Sequence, residues 1–317
     1  MKVIDIINKN KKTTFSFEVL PPLRGKNADS VYKTIENLVD YKPEYINVTT
    51  HSQEVVFKEM EDGSIKKQVI RKRPGTVALA ASIQYKYGIP VVPHVLCGGS
   101  TREETEQILI DLNFLGINSV LALRGDGGKN ETVFKSVPNG NTHASDLVKQ
   151  IVDLRSGKYQ DPTLKSPVPL DFCIGVAGYP EKHFEAPNLQ EDMKNLKRKV
   201  DAGADYIVTQ MFFNNKAYFD FVDRCRAAGI TVPVIPGIKQ ISTLSQLTVL
   251  PKIFRIDLPQ DLVKELEKCK NNDDAKVVGT EWAIEQAREL VAHNVPSLHI
   301  YTKGRSDNTK KIIEAVF

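Results

Sequence analysis

The sequence predicts an α/β protein built as one (β/α)8 barrel. Three observations carry that expectation. Eight short strand-like segments alternate with amphipathic stretches along 317 residues, a length that suits a single barrel with extended loops. Several segments, such as "INVTT" at Ile46–Thr50 and "YIVTQMFF" at Tyr206–Phe213, are continuous runs, as in a parallel sheet covered on both faces. No G-x-G-x-x-G follows the first strand, which counts against the open doubly wound sheet, the competing arrangement.

The first strand, Thr14–Leu20 within "TFSFEVLPP", puts Phe15, Phe17 and Val19 on one face and Thr14, Ser16, Glu18 and Leu20 on the other. Two prolines close it, since neither can continue a ladder. A carboxylate at Glu18 in so apolar a strand must be paired, protonated or employed. The remaining strands are expected at Tyr45–Thr49, Pro90–Leu96, Ser119–Arg124, Leu170–Gly178, Tyr206–Phe213, Val232–Pro236 and Ser297–Tyr301. Between them, "STREETEQILIDLNFLG" offers a capping box from Ser100 to Glu103, with Ile108, Leu109, Leu112 and Leu115 inward and Gly116 as the stop. "NLQEDMKNLKRKVDAG" repeats the design, with Asn188 as cap, Met193, Leu196 and Val200 inward, and Gly203 at the end. Ile241–Thr280 reads as two or three short helices. Three long loops remain. His51–Arg73 and Gly127–Thr142 fall on the C-terminal face of a barrel, where loops carry function, and Ser156–Pro169 falls on the opposite, stabilising face.

Composition narrows the function classes. Hydrophobic residues make up 41% and charged ones 26%, the balance of a globular protein with a sizeable core. The net charge of +4 is mild, and the basic runs "NKNKK" and "KKQVIRKR" read as solvated faces, not as a nucleic-acid stripe. Four dispersed cysteines without a C-x-x-C pair, and an opening "MKVIDII" too short for a leader, make a cytoplasmic, reducing setting the expectation. No segment approaches the ~20 apolar residues of a membrane span. "NVT" at Asn47 matches a glycosylation sequon but lies in an expected buried strand.

In a barrel the C-terminal ends of all strands converge on one mouth. Glu18, Thr49, His94, Arg124, Asp126, Tyr179, His183, Gln210 and Tyr301 all fall at or just beyond such ends. Each has a bland reading alone, as core histidine, loop ion pair or carbonyl tie. So many polar groups delivered to one mouth read as a site. Its chemistry is bounded by what it lacks. The six histidines show no metal-ligand spacing, no lysine sits inside the sixth strand for a Schiff base, and no serine stands in a nucleophile elbow. Two carboxylates with hydrogen-bonding groups suit proton transfer beside a cofactor that supplies the harder chemistry.

The segments "FSFEVLPP", "PHVLC", "ALRGD", "AGYPEKH", "NLKRKVDAGADYIVTQMFF", "FVDRCRAAGI", "VIPGI" and "IYTKGR" resemble the methylenetetrahydrofolate reductase family, in order and at compatible spacing from Phe15 to about Arg305. The resemblance implies FAD at the mouth of the barrel, reduced by NADH or NADPH. A folate then takes the place of the nicotinamide, a ping-pong order that yields 5-methyltetrahydrofolate. It implies Glu18 as the general acid at N10 of the folate, and a carboxyl among apolar neighbours would have its pKa raised for that task. Asp126 matches the aspartate facing the pterin and flavin. Gln210, Gln246 and Arg305 match positions facing the folate, the arginine suiting its carboxylate tail. For FAD, the matching positions are Thr49, His94, Arg124, Gly125, Asp126, His143, Ala144, Tyr179, His183, Asp192, Asn195, Arg198 and Lys199.

There are departures from the family pattern. Leu250 stands where a phenylalanine often contacts folate or nicotinamide, His143 replaces an aromatic residue before "ASDL", and the two loops at the mouth are long. The resemblance further implies small-molecule partners, homo-oligomers and, for residues 1–317, a barrel without the regulatory domain of eukaryotic relatives. NADH is the expected donor. Two other readings stand beside it: a different flavin barrel akin to proline dehydrogenase, and a non-catalytic flavin or folate binder.

Overall fold

The computed structural model of the chain describes residues 1–51, 54–127, 134–302, 304 and 306–317, without the side chains of residues 54, 55 and 69. Helix α1 (Val3–Lys9) leads into β1 (Thr14–Val19), α2 (Asp29–Glu36) and β2 (Ile46–Val48). A hairpin of β3 (Glu54–Glu59) and β4 (Ile65–Ile70) precedes α3 (Thr76–Tyr87) and β5 (Val91–Leu96). Strand–helix units follow: α4 (Arg102–Phe114) with β6 (Ser119–Leu123), α5 (Ala144–Arg155) with β7 (Cys173–Gly178), and α6 (Leu189–Asp201) with β8 (Tyr206–Thr209). After α7 (Asn215–Ala227) come β9 (Val234–Ile235) and β10 (Gly237–Ile238), then α8 (Gln246–Phe254), α9 (Gln260–Glu267), α10 (Asn272–Ala292), β11 (Ser297–Tyr301) and α11 (Ser306–Val316).

The main sheet runs β10-β11-β1-β2-β5-β6-β7-β8-β9, with every pairing parallel. Its two ends, β9 and β10, are one stretch of chain interrupted by Pro236, which has no N–H for the ladder. One half pairs with β8 and the other with β11, so the sheet closes into the expected eight-stave barrel. Phe15, Phe17 and Val19 of β1 join the layer between strands and helices, while Ser16 and Glu18 belong to the inner face.

The floor of the barrel is a second core. Tyr45, Val92, Leu121, Cys173, Tyr206, Val208 and Ile235 pack with Val3 and Ile6 of α1, which closes the N-terminal end as a plug. Its entry is fixed by Val3 N–H donating to Ser119 Oγ at 3.2 Å. Gly175 is dictated by this layer, since a Cβ there would lie 2.4 Å from the Tyr206 ring.

Several elements differ from those expected. The cap of α4 is Thr101, not Ser100. Its Oγ1 accepts from Glu104 N–H at 3.1 Å, and Glu104 Oε2 accepts from Thr101 N–H at 2.8 Å. Leu115 is then the C-cap, and it is exposed. The strand expected to run to Phe213 stops at Thr209, and Met211 and Phe213 leave the sheet to anchor a third core with Ile241, Leu250, Ile256, Leu262 and Leu266. The charged segment after β2 is the β3–β4 hairpin, turned at Met60–Ser64 with Gly63 at φ 78°. Among the described residues no helix is long and apolar enough to cross a membrane.

Candidate active site

Glu18 is 7% exposed. Barrel register places Asn47 of β2 and Tyr301 of β11 beside it, so the expected apolar surroundings are corrected. The apolar residues of β1 point out to the helices, and the face that carries Glu18 is polar. Burial first, and the nearby Glu18 next, push the Tyr301 hydroxyl well above its ordinary value. That hydroxyl donates to the Thr209 carbonyl at 2.6 Å. One layer down, Ser16 Oγ meets His299 Nδ1 at 2.9 Å, while Asn47 Nδ2, beside Glu18, faces His94 Nε2 at 3.4 Å. Burial pushes both imidazoles down to about 3, so both rings are neutral and can accept. Among the described residues, Asn47 Oδ1 and Thr49 Oγ1 are buried without a hydrogen-bond partner. Buried polar atoms of this kind call for a water or a ligand.

A second group gathers across the mouth, where β6 and β7 end. Arg124 Nη1 pairs with Glu185 Oε2 at 2.5 Å, and its guanidinium lies 5.1 Å from the Phe134 ring centroid. The hydrogen bond from Arg124 is the main reason the Glu185 carboxyl sits below its usual value. Gly125 follows with φ 86°, a left-handed conformation that favours glycine, and Asp126 beyond it is exposed. His183 Nδ1 accepts from Glu185 N–H at 3.2 Å, which places the ring proton on Nε2. Its own backbone N–H donates to Asp192 Oδ2 at 3.0 Å. The ring meets Tyr179 edge-on at 4.6 Å and stacks on Phe184 at 4.9 Å. Burial, then Arg124, lowers its pKa.

Helix α6 supplies the cations. Lys199 Nζ donates to the Ala177 carbonyl at 2.5 Å and lies 5.8 Å from the Tyr179 ring centroid. Burial pulls the ammonium down to about 8, with Arg124 adding to the shift and Asp192 opposing it. Arg198 and Asn195 are exposed and bonded to each other at 2.9 Å. His143 caps α5, where its N–H donates to Asp146 Oδ2 at 2.9 Å and its carbonyl accepts from Cys97 Sγ at 3.4 Å. This ties half-buried Ala144 to the end of β5.

Two glutamines share one construction. Gln210 Oε1 accepts from Met211 N–H at 3.0 Å, and Gln246 Oε1 accepts from Ser242 N–H at 2.6 Å and Thr243 N–H at 3.1 Å. A backbone N–H requires the oxygen, so each amide is oriented and presents its NH2 group as donor. Leu250 does not stand at a contact surface: it is 1% exposed, within the third core. Arg305 lies outside the described residues, as do residues 52, 53 and 128–133 of the two mouth loops. Sequence reasoning missed Glu185 and Phe134, the partners of Arg124, and Glu181, which sat unremarked inside "AGYPEKH".

With this geometry in hand, the sequence profile described as methylenetetrahydrofolate reductase matches residues 2–316. The chain belongs to the methylenetetrahydrofolate reductase family. Methylenetetrahydrofolate reductase (NADH) 1 of Arabidopsis thaliana is 33% identical over 315 residues, covering 95% of this chain and 48% of the relative. The 5,10-methylenetetrahydrofolate reductase of Salmonella typhimurium is 31% identical over 297 residues, covering 92% of this chain and 86% of the relative. The chain thus spans about half the length of the eukaryotic family members it matches and most of the bacterial ones. A Clostridium thermocellum protein that binds two copies of 5-methyl-5,6,7,8-tetrahydrofolic acid has a similar structure, with a TM-score of 0.56 at 14% identity, covering 98% of this chain and 97% of that one. At that identity the likeness speaks for the barrel alone.

Proposed function

We propose that this family member reduces 5,10-methylenetetrahydrofolate to 5-methyltetrahydrofolate with FAD as cofactor and NADH as donor. The observation that carries the reading is Glu18, a buried carboxyl at the mouth of a barrel whose sequence follows the family profile from residue 2 to residue 316. The residues fit FAD. Arg124, Arg198 and Lys199 provide cations for a diphosphate, the Tyr179–His183 pair provides aromatic surface, and the orphaned Thr49 Oγ1 and Asn47 Oδ1 offer hydrogen-bonding capacity. Bound there, FAD supplies the two-electron chemistry between nicotinamide and folate.

The chain's own residues do the rest. Glu18 delivers a proton to N10 of the folate, which opens the five-membered ring to an iminium cation. The Asp126 carboxylate stabilises that cation and would disfavour negative charge on bound FAD. The NH2 groups of Gln210 and Gln246 hold the substrate, and Arg305 pairs with its carboxylate tail. Nicotinamide needs no proton from Glu18, so the two half-reactions separate. Glu18→Gln should leave NADH-driven menadione reduction within about twofold of the parent and reduce folate turnover by roughly 10²–10⁴. Equal loss in both half-reactions would remove Glu18 from the role.

A further inference from the structure

Glu181 is a partly buried carboxyl on the β7–α6 loop, two residues beyond Tyr179 and two before His183. Its Oε2 accepts from Asp257 N–H at 3.0 Å. Asp257 belongs to the turn that follows α8, where Arg255 adopts φ 54° and Ile256 is buried in the third core. Helix α8 begins with Gln246 and buries Leu250 in that same core. One side chain therefore joins the loop bearing the aromatic pair to the far end of the helix bearing a substrate-facing amide.

The environment of this carboxyl is unusual for a structural tie. Lys182 turns its ammonium to the His183 and Ala186 carbonyls, at 3.0 and 2.5 Å, and Arg224 of α7 donates to the Pro180 carbonyl at 2.8 Å. His183 Nδ1 is engaged by Glu185 N–H, and Arg255 of the turn is exposed. Among the described residues no cation forms an ion pair with Glu181, and the charge that shifts it is the like charge of Asp257. A glutamine would accept the same hydrogen bond without the cost of burying an anion. A carboxyl rather than an amide at this place points to a use for its charge.

We propose that Glu181 is a positioning residue for the folate half-reaction, clamping the α8–α9 turn to the β7–α6 loop so that Gln246 stands at the distance from Tyr179 and His183 that folate binding needs. This rests on the function proposed above. The ionised carboxylate is the stronger acceptor for Asp257 N–H. Burial, and Asp257 with it, raise the Glu181 pKa to about 7, against the hydrogen bond that lowers it. The clamp is therefore firm above neutrality and relaxes below it.

The test is steady-state kinetics of the FAD-loaded protein between pH 6 and 8.5. Two assays are compared: 5-methyltetrahydrofolate oxidation and NADH oxidation, each with menadione as acceptor. In the parent, KM for the folate should rise roughly tenfold on going from pH 8 to pH 6, while KM for NADH holds within about twofold. Glu181→Gln should make the folate KM independent of this ionisation, and Glu181→Ala should raise it at every pH. Thermal unfolding checks the variants. The folded chain favours protonated Glu181, so ionisation costs stability above the unfolded pKa, and Glu181→Gln should melt higher than the parent at pH 8. A parent pH dependence that survives in Glu181→Gln overturns the inference and leaves the reductase reading standing. No folate turnover by the parent at any pH overturns both.

Discussion

Lys199 shows how a side chain can be costly to the fold and useful to the site. Its ammonium is withdrawn from water and donates to the Ala177 carbonyl, and although Asp192 opposes the shift, burial with Arg124 lowers its pKa to about 8. At pH 7 it is nonetheless charged. The expected outcome of Lys199→Met is an apoprotein that melts no lower than the parent at pH 7, because a buried cation has been exchanged for an apolar chain of similar length. FAD affinity should fall roughly tenfold or more, since a charge-assisted contact to the diphosphate is lost. Apoprotein melting and a flavin-fluorescence titration read the two effects separately. An apoprotein that melts several degrees lower would mean that Lys199 is a structural tie. At this scale the sequence exposed the chemistry-bearing residues but not their settings. Glu18 could be placed at a mouth from strand alternation. That its neighbours are Asn47 and Tyr301 depends on strand register, for Tyr301 with a strand from the far end of the chain. Glu185 carries no local signal at all, because its ion pair spans the fold from β6 to the loop after β7.

Among elements, the ends of α4 and the whole of α1 separate what local pattern can decide from what it cannot. In "STREE" both Ser100 and Thr101 have a glutamate three residues on, so two capping boxes are written and one is used. Thr101→Ala should cost about 1 kcal/mol in urea unfolding, and Ser100→Ala no more than about 0.5 kcal/mol. The reverse order would restore Ser100 as the cap. Helix α1 escaped notice because seven residues are too few for a persuasive helical period, and its stability comes from the barrel floor and not from itself. Ile6 is 1% exposed there, so Ile6→Ala should cost about 2–5 kcal/mol, the price of a cavity beneath Tyr45 and Tyr206. The β3–β4 hairpin left one local trace, the Asp62-Gly63 pair at its turn, but the flanking EVVFKE and IKKQVI do not alternate. Charge density masked it. The overrun of β8 has the opposite cause, since Met211 and Phe213 are buried without being paired, and an apolar run does not distinguish the two.

For the whole molecule, the polar interior sets how stability responds to acid. His94 and His299 are both neutral in the folded barrel and both pushed to about 3, whereas an unfolded histidine titrates near 6.5. Between those limits the unfolded chain binds protons that the folded chain refuses. Stability from these two groups is thus complete above about pH 6.5 and drains away as pH falls toward 3. Glu181 works in the other direction between its unfolded value of 4.5 and about 7, because the folded chain keeps a proton that the unfolded chain has released. From pH 6.5 to 4.5, these two histidines and His183, which burial lowers in the same direction, oppose Glu181, and unfolding free energy should decline with acid. His299→Asn removes one of these histidines and keeps a polar atom within reach of Ser16. Its absolute stability can fall through imperfect packing, so the slope is the informative quantity. Urea unfolding at several pH values from 4.5 to 6.5 should give a clear positive slope for the parent and a distinctly shallower one for His299→Asn. If the two slopes coincide, His299 titrates in the folded state much as it does in the unfolded one, and the barrel interior admits protons as readily as water does.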